Sequence, residues 1–165
     1  MATPARGTEP TAAEACTAGS DEELLRRWFQ IYSGMQNLTA DLLAEVERTA
    51  GLTAPEFQVL WHLAAAPERR APMNEVSRLL NFSTAGTTKL IDRLCATGAV
   101  ERRTSPTDRR VILAELTPAG ENATRHAACI LADALHNRFV GRLGEDRVNS
   151  LAEAFELLAA ESGDC

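Results

Sequence analysis

Along this chain the apolar positions fall into helical spacing, then briefly into alternation, then back into helical spacing. Leu24, Leu25, Trp28, Ile31, Tyr32, Met35, Leu38, Leu42 and Val46 recur every three to four residues up to Gly51, which predicts one long helix. Ser20, three places before Glu23, has the form of a capping box that would open it. Thr53 and Glu56 repeat that form ahead of a shorter helix bearing Phe57, Val59, Leu60, Trp61 and Leu63, which must stop before Pro67. The segment Pro67 to Ala71 reads as a linker.

Two short helices follow. Met73 to Leu80 places Val76, Leu79 and Leu80 on one side, and Asn81 to Ser83 breaks it. Ser83 is a good N-cap for a helix reaching about Ala96, with Leu90, Ile91 and Leu94 inward and Gly98 at its end. Thr84, Ala85, Thr88 and Lys89 then lie outward near the helix start. Such a pair, small and polar at the exposed beginning of its second helix, fits a helix-turn-helix whose surface can approach base edges. The pattern next becomes strand, turn and strand: Val100 to Thr104, the polar Ser105 to Arg110, and Val111 to Leu116, where Val111, Leu113 and Glu115 alternate with Ile112, Ala114 and Leu116. This hairpin reads as a wing with arginine at its tip, suited to the negative potential of a narrow minor groove. Asp108 is expected to orient the Arg110 guanidinium through paired hydrogen bonds, since an unpaired acid near phosphate would be costly.

After the wing, Thr117 as N-cap and Pro118 at the first helical position open a helix through Ala123, Ala127, Ile130, Ala134, Leu135 and Phe139. Beyond Gly141 to Gly144, Val148, Leu151, Phe155 and Leu158 form the stripe of a last helix. The first helix and these two are amphipathic beyond what one small core can cover, so a second copy of the chain is expected over their apolar faces.

Charge sharpens this picture. Between Arg69 and Arg110 nine basic residues face four acids, whereas the rest of the 165-residue chain holds eight basic and nineteen acidic residues. An acidic protein that gathers its positive charge into one segment presents that segment to a polyanion, or simply solvates it. No apolar run approaches the roughly 20 residues of a membrane span, and residues 1–20, rich in Ala, Thr, Gly and Pro, read as a disordered arm without a signal-peptide core. Cys16, Cys95, Cys129 and Cys165 are widely spaced, with no zinc-ligand pattern, as suits a reduced cytoplasmic protein. Cys95 and Cys129 look like packing residues, Cys16 and Cys165 like exposed ones. His62, His126 and His136 form no triad pattern, and no phosphate loop appears, so neither catalysis nor a metal or cofactor is expected.

At this point the chain resembles the MarR family of winged-helix transcription regulators. The likeness rests on TKLIDRL (Thr88 to Leu94), GAVER (Gly98 to Arg102), DRR (Asp108 to Arg110) and LTPAG (Leu116 to Gly120), supported by GLTAPEF (Gly51 to Phe57). It implies a mainly α fold with a small β-hairpin wing: a dimerisation helix at 21–52, a winged helix-turn-helix at 53–116, and C-terminal dimerisation helices at 117–161. It further implies a homodimer on a pseudo-palindromic duplex, with contacts from Ser83, Thr84, Ala85, Thr87, Thr88, Lys89, Arg93, Asp108, Arg109 and Arg110, and with Arg110 inserted in the minor groove. One departure is that Ala85 stands where many members carry serine, beside Gly86 inside the reading helix, which implies fewer side-chain contacts to bases there. The resemblance also implies a repressor released by a small aromatic or phenolic ligand, for which Trp28, Tyr32, Trp61 and His62 are the positional candidates. Trp28 and Tyr32 equally suit a plain core. The alternatives are a regulator that senses oxidation through cysteine, and a helical protein-interaction module whose basic segment meets an acidic partner.

Overall fold

The computed structural model describes residues 19–161, with side chains from 21 to 158. They fall into two units, one ending at Ala40 and one beginning at Asp41. The arm at 1–20, Cys16 and Cys165 lie outside the described residues and side chains, as does the Ser20 hydroxyl of the first expected capping box. Helix α1 (Gly19–Ala50) crosses from one unit into the other. Within the first unit, Glu23 accepts hydrogen bonds from Arg26 Nε at 2.9 Å and Arg27 Nε at 2.7 Å. The apolar stripe there stays open, with Leu24, Leu25, Trp28, Phe29, Ile31 and Tyr32 each about half exposed or more.

The second unit carries the core. Gly51, at φ 70°, ends α1 in the left-handed region that glycine enters freely. Helix α2 (Ala54–Ala65) starts as its sequence demands: Glu56 accepts from the Thr53 amide at 2.9 Å and from the Thr53 hydroxyl at 2.7 Å. Phe57, Val59, Leu60 and Leu63 are buried, whereas Trp61 projects into solvent. A tight turn (Pro67–Arg69), with Glu68 and Arg69 at positive φ, leads into strand β1 (Arg70–Pro72) where a linker was expected. Helix α3 (Met73–Leu80) buries Val76 but leaves Leu79 exposed, and Asn81 turns the chain at φ 52°. Helix α4 (Thr84–Ala96) buries Leu90, Ile91 and Leu94.

Strands β2 (Val100–Thr104) and β3 (Ile112–Leu116) form the hairpin. The sheet is antiparallel in the order β1-β3-β2, with Arg70 opposite Glu115 and Val100 opposite Leu116. Because β3 is central, Leu113 and Ala114 are both buried although they point to opposite faces, so the expected one-sided alternation gives way. The principal cluster joins Leu60 and Leu63 of α2, Val76 of α3, Ile91 and Leu94 of α4, and Val100, Ala114 and Leu116 of the sheet. Each large side chain sealed there contributes about 2 kcal/mol. A smaller cluster gathers Val46, Phe57 and Ala127.

Thr117 caps α5 (Pro118–Leu135) by accepting from the Gly120 amide at 3.0 Å. The break expected between Gly141 and Gly144 falls at its far end: a π-helical turn (His136–Val140) and a helical turn (Gly141–Leu143) carry the chain on to Gly144, whose φ of 82° precedes α6 (Glu145–Glu161). Among the described residues no helix is long and apolar enough to cross a membrane.

Candidate nucleic-acid interface

The start of α4 is built by a local cap. Ser83 holds extended backbone and its Oγ accepts from the Gly86 amide at 3.2 Å, satisfying one of the free donors of the first turn. Thr84, Ala85, Thr88 and Lys89 are exposed from there onward, as their spacing requires. Thr87 is not. It is fully buried and its hydroxyl donates to the Ser83 carbonyl at 3.2 Å, so the expected DNA contact at Thr87 is corrected to a core position. The reason is angular: Thr87 lies three and four residues before Leu90 and Ile91 and shares their face. The Thr88 hydroxyl donates to the Thr84 carbonyl at 2.8 Å, which leaves its lone pairs outward as acceptors.

Arg93, further along α4, is tied to α2: its Nε donates to Glu56 Oε1 at 3.1 Å, with the guanidinium still exposed. Burial pushes the Glu56 carboxyl up, but the Thr53 hydrogen bonds and the Arg93 charge outweigh it and hold the group below the usual carboxylate range.

The hairpin tip is ordered by backbone capture. Ser105, buried, donates its amide to the Val111 carbonyl at 2.9 Å, while its Oγ accepts from the amides of Thr107 at 3.3 Å and Asp108 at 3.4 Å. Asp108 Oδ1 accepts from the Arg110 backbone amide at 2.9 Å. That corrects the expected pairing of Asp108 with the Arg110 guanidinium, because an aspartate two residues ahead reaches the amide through a short ring at little entropic cost. Arg109 and Arg110 are exposed and, like Lys89, form no ion pair with an acid among the described residues. Ser105 is the residue that sequence reasoning missed here. Its signal was the Ser-Pro step opening the turn.

Between these parts lies a cleft of about 560 Å³, with Asn74 and Ser77 from α3, Thr84 and Thr88 from α4, and Arg102 and Arg110 from the hairpin on its walls. Two further arginines that the sequence left without a role are engaged with protein. Arg102 Nη1 donates to Asp92 Oδ1 at 2.5 Å and Nη2 to the Thr88 carbonyl at 3.2 Å. Arg103 reaches Glu101 at 2.6 Å and Glu115 at 3.4 Å, and hydrogen bonding to Glu101, then the charges of Glu101 and Glu115, raise its pKa. This sets apart two kinds of cation: those neutralised in the sheet and those offered outward at α4 and the tip.

The aromatic candidates separate by unit. Trp28 and Tyr32 stack on one another in the first unit, centroids 6.5 Å apart. In the second, Trp61 lies 6.2 Å from Phe57, and both line an apolar cavity of about 370 Å³ with Ala128, Leu131, Ala132 and Leu135. His62 is not among those lining residues; its Nε2 is 2.8 Å from Glu75 Oε1, joining α2 to α3. Cys95 is half-buried against the principal cluster, but Cys129 is exposed, which corrects its expected packing role. No cluster of three metal-ligating side chains occurs among the described residues.

The model of the MarR family matches residues 50–111. The multiple antibiotic resistance protein MarR of Escherichia coli (strain K12) is 30% identical over 110 residues, spanning 67% of this chain and 75% of that protein. Among solved structures, Sco3205, a MarR family transcriptional regulator from Streptomyces coelicolor in complex with DNA, superposes with a TM-score of 0.70 at 25% identity, over 86% of this chain and 90% of that one. AbsC, another MarR family transcriptional regulator of Streptomyces coelicolor, gives a TM-score of 0.70 at 21% identity over 94% of this chain and 97% of its own, a likeness of fold.

Proposed function

The chain belongs to the MarR family of transcriptional regulators, and on that premise we propose that it is a homodimeric, sequence-specific DNA-binding repressor acting in the cytoplasm. The observation that carries this is one folded unit offering both an unobstructed helix start and a tip with uncompensated charge: Thr84, Ala85, Thr88 and Lys89 on α4, Arg109 and Arg110 on the hairpin. Small side chains at the helix start suit base edges in the major groove, with Ser83 and Lys89 toward phosphate. Arg110 suits the adjacent minor groove. That Sco3205 was solved in complex with DNA supports the DNA-binding reading.

The winged helix-turn-helix spans 53–116, and 21–52 with 117–161 pair two copies. The apolar residues of α1 left open in the first unit, and Phe155 left open on the stripe of α6 in the second, are what a partner copy would cover. Two heads on a two-fold axis read half-sites roughly 34 Å apart, hence a pseudo-palindrome. For the releasing ligand, the cavity beside Trp61 offers an apolar lining that includes the rings of Phe57 and Trp61, which suits a small aromatic molecule. His62, held by Glu75, is assigned no contact with it.

The test is selection from a random duplex pool, followed by anisotropy titration of the selected and a scrambled duplex at several salt concentrations. A regulator prefers the selected duplex by roughly 4–10 kcal/mol. Equal affinity for both, falling together with salt, would instead mark a nonspecific basic surface.

A further inference from the structure

The arginines of the basic window are not equivalent. Arg109 and Arg110 are offered outward, whereas Arg102 spends its donors within the protein. Arg102 belongs to β2, the first strand of the hairpin; Asp92 and Thr88 lie one turn apart on α4. Its guanidinium donates to a carboxylate at 2.5 Å and, from the other nitrogen, to a backbone carbonyl at 3.2 Å. A planar fork with donors at fixed angles meets both acceptors at once, and a point-charge ammonium does not.

We propose that Arg102 is a positioning residue that clamps the hairpin to α4, setting the angle at which Arg110 is presented relative to the exposed start of that helix, with Asp92 as the other half of the clamp. This rests on the DNA-binding reading above. The pair is open to solvent, with side chains 34% and 56% exposed, so it adds little to fold stability. Its effect falls on orientation, and orientation is what a minor-groove arginine depends on, because a hydrogen bond fails when its donor is displaced by an ångström. Asp92 also poses an electrostatic question that the clamp answers: an acid on a helix that faces a polyanion opposes binding unless a cation stands beside it.

The experiment uses the full chain with R102A, R102K, D92A and the R102A/D92A double variant, read by affinity for the selected duplex, melting temperature and amide exchange of residues 105–110 without DNA. R102A and R102K both weaken binding about tenfold, D92A weakens it similarly although it removes a negative charge from the DNA-facing helix, and the double variant is no weaker than either single one. Melting shifts by no more than about 2 °C, and exchange at the hairpin tip accelerates in all four. Wild-type affinity in R102K, or tighter binding by D92A, overturns the clamp and leaves Arg102 as a plain charge. Should the wild type select no duplex, the DNA-binding reading fails by itself; unchanged tip exchange in R102A overturns the clamp with no DNA present.

Discussion

Gly120 is pressed so closely against Ala99 that a β-carbon on it would lie 2.0 Å from the Ala99 carbonyl oxygen and 2.8 Å from Leu116 Cδ1. That contact seats the first turn of α5 on the bend between α4 and β2, where the Thr117 amide and hydroxyl also donate to the Ala99 carbonyl, at 3.1 and 3.2 Å. The obstacle is backbone and cannot rotate away. Gly120→Ala is therefore expected to destabilise the fold by about 2 kcal/mol or more, read by urea denaturation. Gly86→Ala should do the opposite. Its β-carbon would meet Ser83 Oγ at 3.4 Å, an ordinary contact, so the helix gains up to about 1 kcal/mol from the better helix former. Equal effects at both glycines would contradict the packing described at α5.

The Glu56 carboxylate links the α2 cap to Arg93 of α4, and its lowered pKa makes it a source of pH-dependent stability. The folded value lies below the unfolded one near 4.5, so the stabilisation is fully present above that pH and is lost as pH falls through the folded value. Glu56→Gln, which can keep the capping bond but loses the charge facing Arg93, should reduce stability at pH 7 by about 0.5 kcal/mol and flatten its dependence below pH 4.5, measured by thermal melts from pH 3 to 7. A parallel pH profile in the variant would remove Glu56 from that role.

What could be read from the sequence was what residues decide with near neighbours. The Thr53–Glu56 box and the caps at Ser83 and Thr117 appear because each side chain bonds a backbone group within three residues. Strand β1 was hidden because three residues carry no period and its pairing comes from Leu113 to Glu115, far along the chain. Thr87 was misassigned because Thr84, Thr87 and Thr88 look alike in composition while only the helical angle separates the buried one. Arg102 and Arg103 were counted in the charge surplus, yet their partners, Asp92 and Glu101 with Glu115, depend on the fold of the hairpin.

Asp108 separates two accounts of the hairpin tip. As a backbone acceptor for the Arg110 amide, its role survives replacement by asparagine, whose side-chain oxygen can take the same bond. Asp108→Asn is expected to retain full affinity for the selected duplex, or gain slightly from losing a negative charge beside phosphate, whereas Asp108→Ala weakens it about fivefold. If the carboxylate instead had to grip the guanidinium, both variants would fall together in an anisotropy titration.

Helix α6 offers the most direct test of assembly. Phe155 is 48% exposed and Leu151 lies one turn before it on the same face, so an apolar strip remains at the C-terminal end of the second unit. Leaving such side chains in water forfeits about 2 kcal/mol each relative to burial, and a two-fold interface would use every one of them twice. Leu151→Glu combined with Phe155→Glu should convert the protein at micromolar concentration from dimer to monomer or aggregate in light scattering. Because the core around Leu60 and Ile91 does not include these residues, the helical signal in circular dichroism should persist. Operator affinity should fall at least a hundredfold, since one head then binds without the other's help. A variant that remains a folded dimer of undiminished affinity would show that α6 does not hold the two copies together.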